Sequence, residues 1–166
     1  MRGGCVGMAK VFDVAEYIVK KLGTITTAKL QKLVYYSQAW SLVWDEKPLF
    51  NNEIQAWANG PVSPDLFQLH KGKFQVSSKN FPKGDTGQLN VEEMETIDSV
   101  LKYYGDKSAQ WLIDLTHLED PWKEAREGCS AGERCTNEIT IASMMDYYSE
   151  LYSNESQPTY SVFECC

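Results

Sequence analysis

His117, Glu119 and Asp120 form the group of side chains in this sequence that is best suited to chemistry. A histidine near two carboxylates can act as a general base with an orienting partner. Adjacent positions at a helix end do not face one another, however. The order Asp120-Pro121-Trp122 is also typical of a helix start, with Asp120 as the cap and Pro121 in the first position. The pattern therefore favours a structural corner over a hydrolase site.

Other catalytic motifs do not occur in the sequence. His70 is the only other histidine, so a Ser-His-Asp arrangement has few candidates. The sequence contains no GxSxG, Walker loop, GxGxxG or HExxH pattern. We therefore predict that the protein is not an enzyme and binds no cofactor.

The five cysteines are an odd number, and their positions are 5, 129, 135, 165 and 166. Cys129 and Cys135 lie six residues apart in a Gly/Ser-rich loop, which is a loose spacing for zinc. The first ten residues have no apolar stretch typical of a secretory signal. We therefore expect reduced thiols, no metal site and a cytoplasmic location.

Composition indicates one globular domain, since 43% of the 166 residues are hydrophobic. No apolar run approaches the roughly 18 residues that a membrane span needs. The net charge of −7 is uneven: residues 1–50 carry seven basic and four acidic side chains, whereas residues 101–166 carry five and twelve. An acidic surface repels phosphate, which makes nucleic acid an unlikely partner.

Apolar spacing predicts a mainly α fold, a single bundle of about six to seven helices. The predicted domain spans residues 10–152, after a flexible extension over 1–9 and before a disordered tail over 153–166. Cap residues mark the helix starts. They are Thr26 or Thr27, Ser63 with Pro64, Asn90 with Glu93, Ser108 and Thr140.

A small β-hairpin is expected near residues 48–58, with Asn51-Asn52 as its two-residue turn. Alternation along the strand places Glu53, Gln55 and Trp57 on one face. Residues 71–89 are rich in Gly, Ser, Lys and Pro, which predicts a long mobile connection with at most one short strand near 74–76.

Aromatic residues cluster in positions 35–57, which hold six of them. Such residues serve both small helical cores and protein interfaces. The helical stripe Leu30–Trp44 assigns Trp40 and Trp44 to the core and places Lys32 and Gln38 on the opposite side; Trp111 is also assigned to the core. Tyr35, Tyr36 and Trp57 fit either role.

Lysines 20, 21, 29 and 32 lie near the junction of the first two predicted helices. The short turn between these helices superficially resembles a helix-turn-helix, so a DNA-binding transcriptional regulator is an alternative function. The second helix lacks arginine and carries a continuous apolar stripe, and lysines on a solvated helix face explain the pattern more simply.

Three segments in order carry a family resemblance: residues 30–40 (LQKLVYYSQAW), residues 48–64 (with PLF and AWANGPVSP) and residues 115–122 (LTHLEDPW). From about residue 11 to 151 the chain resembles the Panacea antitoxin domain family, which includes SocA-type antitoxins and phage-associated GepA-like proteins. The resemblance implies an antitoxin of a bacterial or phage toxin–antitoxin system that neutralises a cognate toxin by direct contact. It also implies a ClpXP-type protease as a second candidate partner, and the family has no established catalytic residues.

On this resemblance we expect two sets of site residues. An exposed partner-binding face is expected to comprise Tyr35, Tyr36, Glu53, Gln55 and Trp57. The motif residues with structural roles, which rigidify the turn after the hairpin and the helix junction, are expected to be Gln38, Trp40, Gly60, Pro61, Pro64, Thr116, His117, Glu119, Asp120, Pro121 and Trp122.

Overall fold

The computed structural model describes residues 7–80 and 84–155, and it folds them into seven helices and four short strands. The helices are α1 (Val11–Leu22), α2 (Thr27–Trp44), α3 (Pro64–His70), α4 (Val91–Tyr104), α5 (Ala109–Leu118), α6 (Asp120–Ala125) and α7 (Ile141–Glu155). The strands are β1 (Ile25–Thr26), β2 (Gln55–Trp57), β3 (Gly60–Val62) and β4 (Gln75–Val76). The predicted mainly α fold is confirmed.

Five of the seven helices, α2, α3, α4, α5 and α7, begin at predicted caps, where a side-chain oxygen accepts an otherwise unpaired backbone N–H. Asn90 and Glu93 form a reciprocal capping box at α4. The other side-chain caps are Thr26 at α2, Ser63 at α3, Ser108 at α5 and Thr140 at α7.

Helix α2 lies at the centre of the fold, in contact with α1, α4, α5, α7 and β3. Its core side chains include Leu30, Leu33 and Trp40, all fully buried. Surrounding elements also cover the side that was expected to face solvent, so Lys32 and Gln38 are only 2% and 1% exposed. The predicted polar face of this helix is therefore wrong, and its polar residues need partners inside the protein.

The β-hairpin is formed by β2 and β3, with Gln55 paired to Val62 and Trp57 to Gly60. Its turn is at residues 58–59, and the prediction of a turn at Asn51-Asn52 is wrong. Gly60 supplies the backbone conformation that the turn needs, with φ of +112°. The other edge of β2 is covered by residues 137–139, through hydrogen bonds such as Ile139 N–H to the Ile54 carbonyl at 2.8 Å.

A second two-stranded sheet joins β1 to β4, with Ile25 opposite Val76. The predicted strand near residues 74–76 is thus found, although its pairing with the α1–α2 connection was not foreseen. Helix α7 continues to Glu155, so the tail predicted from residue 153 begins in a helix. Residues 1–6 and 156–166 of the predicted extension and tail, including Cys5, Cys165 and Cys166, lie outside the described residues.

Cys129 and Cys135 form a disulfide, with their Cα atoms 6.1 Å apart. The expectation of reduced thiols is therefore wrong for this pair. The loop folds back because the Arg126 guanidinium donates to the carbonyls of Ser130 and Glu133, at 2.9 and 2.7 Å. This brings the two cysteines within the range that a disulfide requires.

Within residues 7–80 and 84–155, every helix is too short or too polar to cross a membrane.

Candidate functional site

Gln38 binds the chain that enters the hairpin. Its Oε1 accepts the N–H groups of Leu49 and Phe50, at 2.7 and 3.2 Å, and its Nε2 donates to the Phe50 carbonyl at 2.8 Å. Leu49 and Phe50 are fully buried and lie outside any helix or strand, so their backbone groups have no ladder to join. One buried amide of α2 satisfies three of these groups.

Gln31 does the same for the chain that leaves the hairpin. Its Oε1 accepts the Ser63 N–H at 2.9 Å, and its Nε2 lies 3.2 Å from the Ser63 carbonyl and 3.0 Å from His70 Nε2. Burial lowers the pKa of His70, which favours the neutral ring that can accept this bond. The start and end of α3 are thereby tied to the central helix.

Lys32 lies beneath the hairpin turn. Its Nζ donates to the Pro61 carbonyl at 3.2 Å, and burial lowers the pKa of its ammonium to about 7. An ideal Cβ at Gly60 would lie 2.6 Å from Lys32 Cε and 2.9 Å from Thr116 Oγ1. The absence of a side chain at Gly60 is therefore what lets the hairpin approach α2 and α5 so closely.

Glu119 is buried between α2 and α7. Its Oε1 accepts the hydroxyl groups of Tyr36 at 2.7 Å and Tyr148 at 2.6 Å. Burial raises the pKa of Glu119 to about 7, although the two hydroxyl bonds oppose that rise. The carboxyl group thus links three separate helices rather than facing a substrate.

Tyr35 and Tyr36 belong to this buried network, with exposures of 1% and 0%. The Tyr35 and Tyr148 hydroxyls lie 3.0 Å apart, and the Tyr36 ring stacks on Tyr104 at 4.3 Å. Trp40 Nε1 donates to the Tyr104 hydroxyl at 3.1 Å. The expectation that Tyr35 and Tyr36 lie on an exposed face is therefore corrected, because α4, α7 and the α5–α6 corner cover that side of α2.

Among the tryptophans assigned to the core, Trp40 is completely buried. Trp44 stacks on it at 5.0 Å and is half-buried, as is Trp111. The core assignment thus holds fully for Trp40 and in part for the other two.

The corner between α5 and α6 separates the side chains that looked catalytic. The His117 ring stacks on Trp122 at 4.0 Å, whereas the Glu119 carboxyl is bonded to Tyr36 and Tyr148. Burial lowers the pKa of His117. The geometry is that of a packed corner, and it does not join histidine and glutamate as a base and its orienting partner.

Helix α6 begins differently from the prediction. Glu119 occupies the cap position without a capping bond from its side chain, and Asp120 is the first helical residue, followed by Pro121. The assignment of Asp120 as the cap is therefore wrong. Thr116 Oγ1 donates to the Ile113 carbonyl at 2.7 Å, a local bond that closes the last turn of α5.

Side chains of α6 and its C-terminal cap bind strand β2 from the side. Trp122 Nε1 donates to the Trp57 carbonyl at 2.8 Å, and Arg126 donates to the Ala56 carbonyl at 2.9 Å. Sequence reasoning missed Arg126, as it missed the buried roles of Gln31 and Lys32. The only signal for Arg126 was its position four residues after Trp122, which allows the guanidinium to lie 5.2 Å from that ring.

Glu53, Gln55 and Trp57 lie in a row on the outer face of the hairpin, which we call the hairpin ladder. Trp57 Nε1 donates to Gln55 Oε1 at 2.8 Å, and Gln55 Nε2 donates to Glu53 Oε2 at 2.9 Å. Glu53 is exposed, and the other two are partly exposed. The alternation predicted from the sequence places these three side chains together, although the turn lies elsewhere.

Two comparisons with known proteins identify the same family. The family model described as "Antitoxin SocA-like, Panacea domain" matches residues 30–123, which is more than half of the chain. The chain belongs to the SocA-like Panacea domain family. It is also 28% identical over 115 residues to Antitoxin SocA from Caulobacter vibrioides (strain NA1000 / CB15N). That alignment covers 63% of this chain and 61% of the relative, and no solved structure gives a significant match.

The Panacea match begins inside α2 and ends inside α6. It therefore includes the residues described above that join α2, the hairpin and the α5–α6 corner through buried polar contacts. Arg126 and Tyr148 lie outside it. In this Panacea domain the motif residues of α2 act mainly inward. The hairpin ladder, in contrast, presents connected polar groups outward from the matched region.

The lysines behind the DNA-binding alternative do not form one basic surface in this Panacea domain. Lys32 is buried, Lys20 lies 3.3 Å from Glu16, and Lys21 lies 3.7 Å from Asp98. Burial lowers the pKa of Lys29, while Asp106 nearby opposes that effect. Nearby acidic groups and burial thus weaken the positive field that phosphate binding requires.

Proposed function

We propose that this protein is a cytoplasmic antitoxin that neutralises a cognate protein toxin by direct binding and without catalysis. The observation that carries the proposal is the Panacea family match over residues 30–123. The buried polar network supports it, because that network fixes the hairpin on a rigid base. A rigid surface loses little conformational entropy when a partner binds.

The hairpin ladder is our proposed toxin contact. It combines an exposed carboxylate, an amide and an indole, and tryptophan is among the side chains most often found at binding hot spots. Trp57 is held in place by Phe67, whose ring lies 5.0 Å away edge to face. Its carbonyl is held by Trp122 at 2.8 Å, so the strand stays in position when the side chain is changed.

Replacing Trp57 tests the ladder. We expect Trp57→Ala to weaken binding of the toxin by roughly 30-fold, the effect of losing a hot spot of about 2 kcal/mol. The toxin to use is the product of the reading frame adjacent to the gene, co-expressed for growth rescue and purified for titration calorimetry. Thermal unfolding of the variant should remain cooperative, because Trp57 is only partly buried.

Trp111→Ala is the matched control, since Trp111 is also half-buried but lies at the start of α5 beside Lys107. It should bind the toxin as the unchanged protein does. Loss of the unfolding transition in Trp57→Ala would place Trp57 in the core and defeat the ladder. Normal binding by a folded Trp57→Ala protein would defeat it equally.

A role as an adaptor that delivers the toxin to a ClpXP-type protease, the second candidate partner, is a separate part of the proposal. It requires that a ClpXP-type protease degrade the toxin faster when this protein is present. Incubation of purified toxin and protease with and without the antitoxin measures that rate directly. Equal degradation in both reactions would leave direct neutralisation as the whole function.

A further inference from the structure

A cleft of about 50 Å³ opens beside the hairpin ladder, between residues 50–54, residues 138–139 and the start of α7. Its floor is apolar and deeply buried. The floor side chains are Phe50, Ile54, Ile139 and Met144, each at most 3% exposed.

Polar groups at the floor are already bonded. Gln38 also lines the cleft, but its amide is bonded to the backbone of Leu49 and Phe50. Recognition of a partner must therefore come from the mouth of the cleft. The apolar side chains of the floor can make only van der Waals contacts, such as those with an aliphatic chain.

Two carboxylates stand at the mouth, from Glu53 and Glu138, and both side chains are exposed. None of the lining residues is a lysine or arginine. Gln55 donates to Glu53 Oε2, so the other carboxylate oxygen, Oε1, can accept a hydrogen bond from a partner. Within residues 7–80 and 84–155, no ion pair involves either glutamate.

The helix beside the mouth adds only acidic side chains. Helix α7, which begins at the cleft, carries Asp146 and Glu150 on its exposed side and has no lysine or arginine along its length. In the part of the chain that the structure describes, no three His, Cys, Asp or Glu side chains are placed to share a metal ion. The carboxylates are therefore better suited to an organic cation than to a metal.

We infer that this cleft receives a basic side chain, arginine or lysine, from the cognate toxin; the inference rests on the proposed function. The aliphatic stem lies along the apolar floor, and the cationic head meets Glu53 and Glu138 at the mouth. Since one water needs about 10–15 Å³ of such space, the cleft has room for an unbranched stem of a few atoms. The acidic C-terminal third of the sequence thus contributes a specific contact through Glu138.

A first experiment tests the cleft without the toxin. N-acetylarginine amide is titrated into the isotope-labelled protein and followed by amide chemical shifts, with N-acetylnorleucine amide as the uncharged control. We expect the arginine probe to shift amides around Ile54 and Ile139, and the norleucine probe to shift them far less. The double variant Glu53→Gln/Glu138→Gln should lose the arginine response. Shifts that persist in the double variant, or that spread over the surface, would overturn the cleft as the site.

A second experiment uses the toxin from the adjacent reading frame. The double variant should bind it at least tenfold more weakly at low salt, mainly through a slower association rate, and the difference should shrink at high salt. Glu92→Gln/Glu95→Gln, which removes two exposed carboxylates of α4, is the charge-matched control and should bind normally. If the unchanged protein fails to bind, the proposed function fails for that toxin. If the unchanged protein and the double variant bind equally, the cleft inference fails and the proposed function stands.

Discussion

Helix α2 and the hairpin ladder both present polar side chains from the segments that carry the family resemblance, yet they use them in opposite ways. Gln38 uses both its amide oxygen and its amide nitrogen to bond buried backbone groups. Gln55, in contrast, bonds to the side chains of Glu53 and Trp57 on the outer face. The same residue type therefore holds the fold together at one position and shapes a surface at the other.

The difference arises from the loops around α2. The segments before and after the hairpin are buried without belonging to long strands, and buried N–H and C=O groups need partners. Side chains of the central helix supply them. A polar residue in a recognised motif is thus no sign of an exposed site until its surroundings are known.

Matched glutamine variants give the largest contrast between the two regions. Gln38→Ala leaves three buried backbone groups without partners, at about 1–3 kcal/mol each, so we expect a loss of about 4 kcal/mol in the free energy of unfolding. Gln55→Ala should change it by less than about 0.5 kcal/mol. Urea unfolding followed by tryptophan fluorescence measures both values. Similar losses in the two variants would show that Gln38 and Gln55 contribute equally to stability, contrary to their different burial.

The buried charges give the next largest effect, and its sign depends on the group. Glu119 has its pKa raised to about 7, so the folded protein binds more protons than the unfolded chain between about pH 4.5 and 7, and stability falls as pH rises through that window. Lys32 has its pKa lowered to about 7, so the unfolded chain binds more protons between about pH 7 and 10.5, and stability rises with pH there. Together these two groups produce a minimum near neutrality.

Two variants separate the arms of this profile. Glu119→Gln should remove an acidic arm of about 3 kcal/mol, and Lys32→Met should remove an alkaline arm of comparable size. Unfolding free energies measured from pH 4.5 to 10 provide the test, with Glu95→Gln as an exposed control that leaves both arms in place. If Glu119→Gln left the pH profile unchanged, the pKa of this carboxyl group would be the same in the folded and unfolded protein, which would contradict the prediction.

Two glycines give the smallest effect. Gly60→Ala should cost about 2 kcal/mol or more, because the new Cβ would lie 2.6 Å from Lys32 Cε at a φ of +112°. Gly128→Ala has a similar φ of +92° but nothing within 4 Å, so it should cost only about 1 kcal/mol. Thermal unfolding of both proteins compares them. Equal losses would mean that backbone strain alone, rather than the close approach to α2, accounts for the cost of Gly60→Ala.

Local signals made much of the fold predictable. Helix positions followed from apolar spacing, and starts such as Ser63, Asn90 and Ser108 followed from cap chemistry, which depends on residues only three apart. The hairpin was expected from the same kind of signal, but its turn was misplaced. Asn51 and Asn52 have the composition of a turn, whereas burial and the Gln38 bonds hold the neighbouring chain against α2.

The site was less predictable because its contacts join distant parts of the chain. The row of Glu53, Gln55 and Trp57 could be inferred, since strand alternation is local. The burial of Tyr36 could not, because its partner Glu119 lies 83 residues away. The cleft is formed by residues near 53 and 138, which no spacing rule connects.

The helices, most of their caps, the outward row on the hairpin and membership of an antitoxin family could be predicted from the sequence, because each depends on neighbouring residues or on an ordered set of motifs. The inward direction of particular polar side chains could be read only from the folded arrangement. That direction depends on which loops the packing of α2 buries and therefore on which backbone groups need partners. The same packing brings Glu53 and Glu138 to the mouth of one cleft.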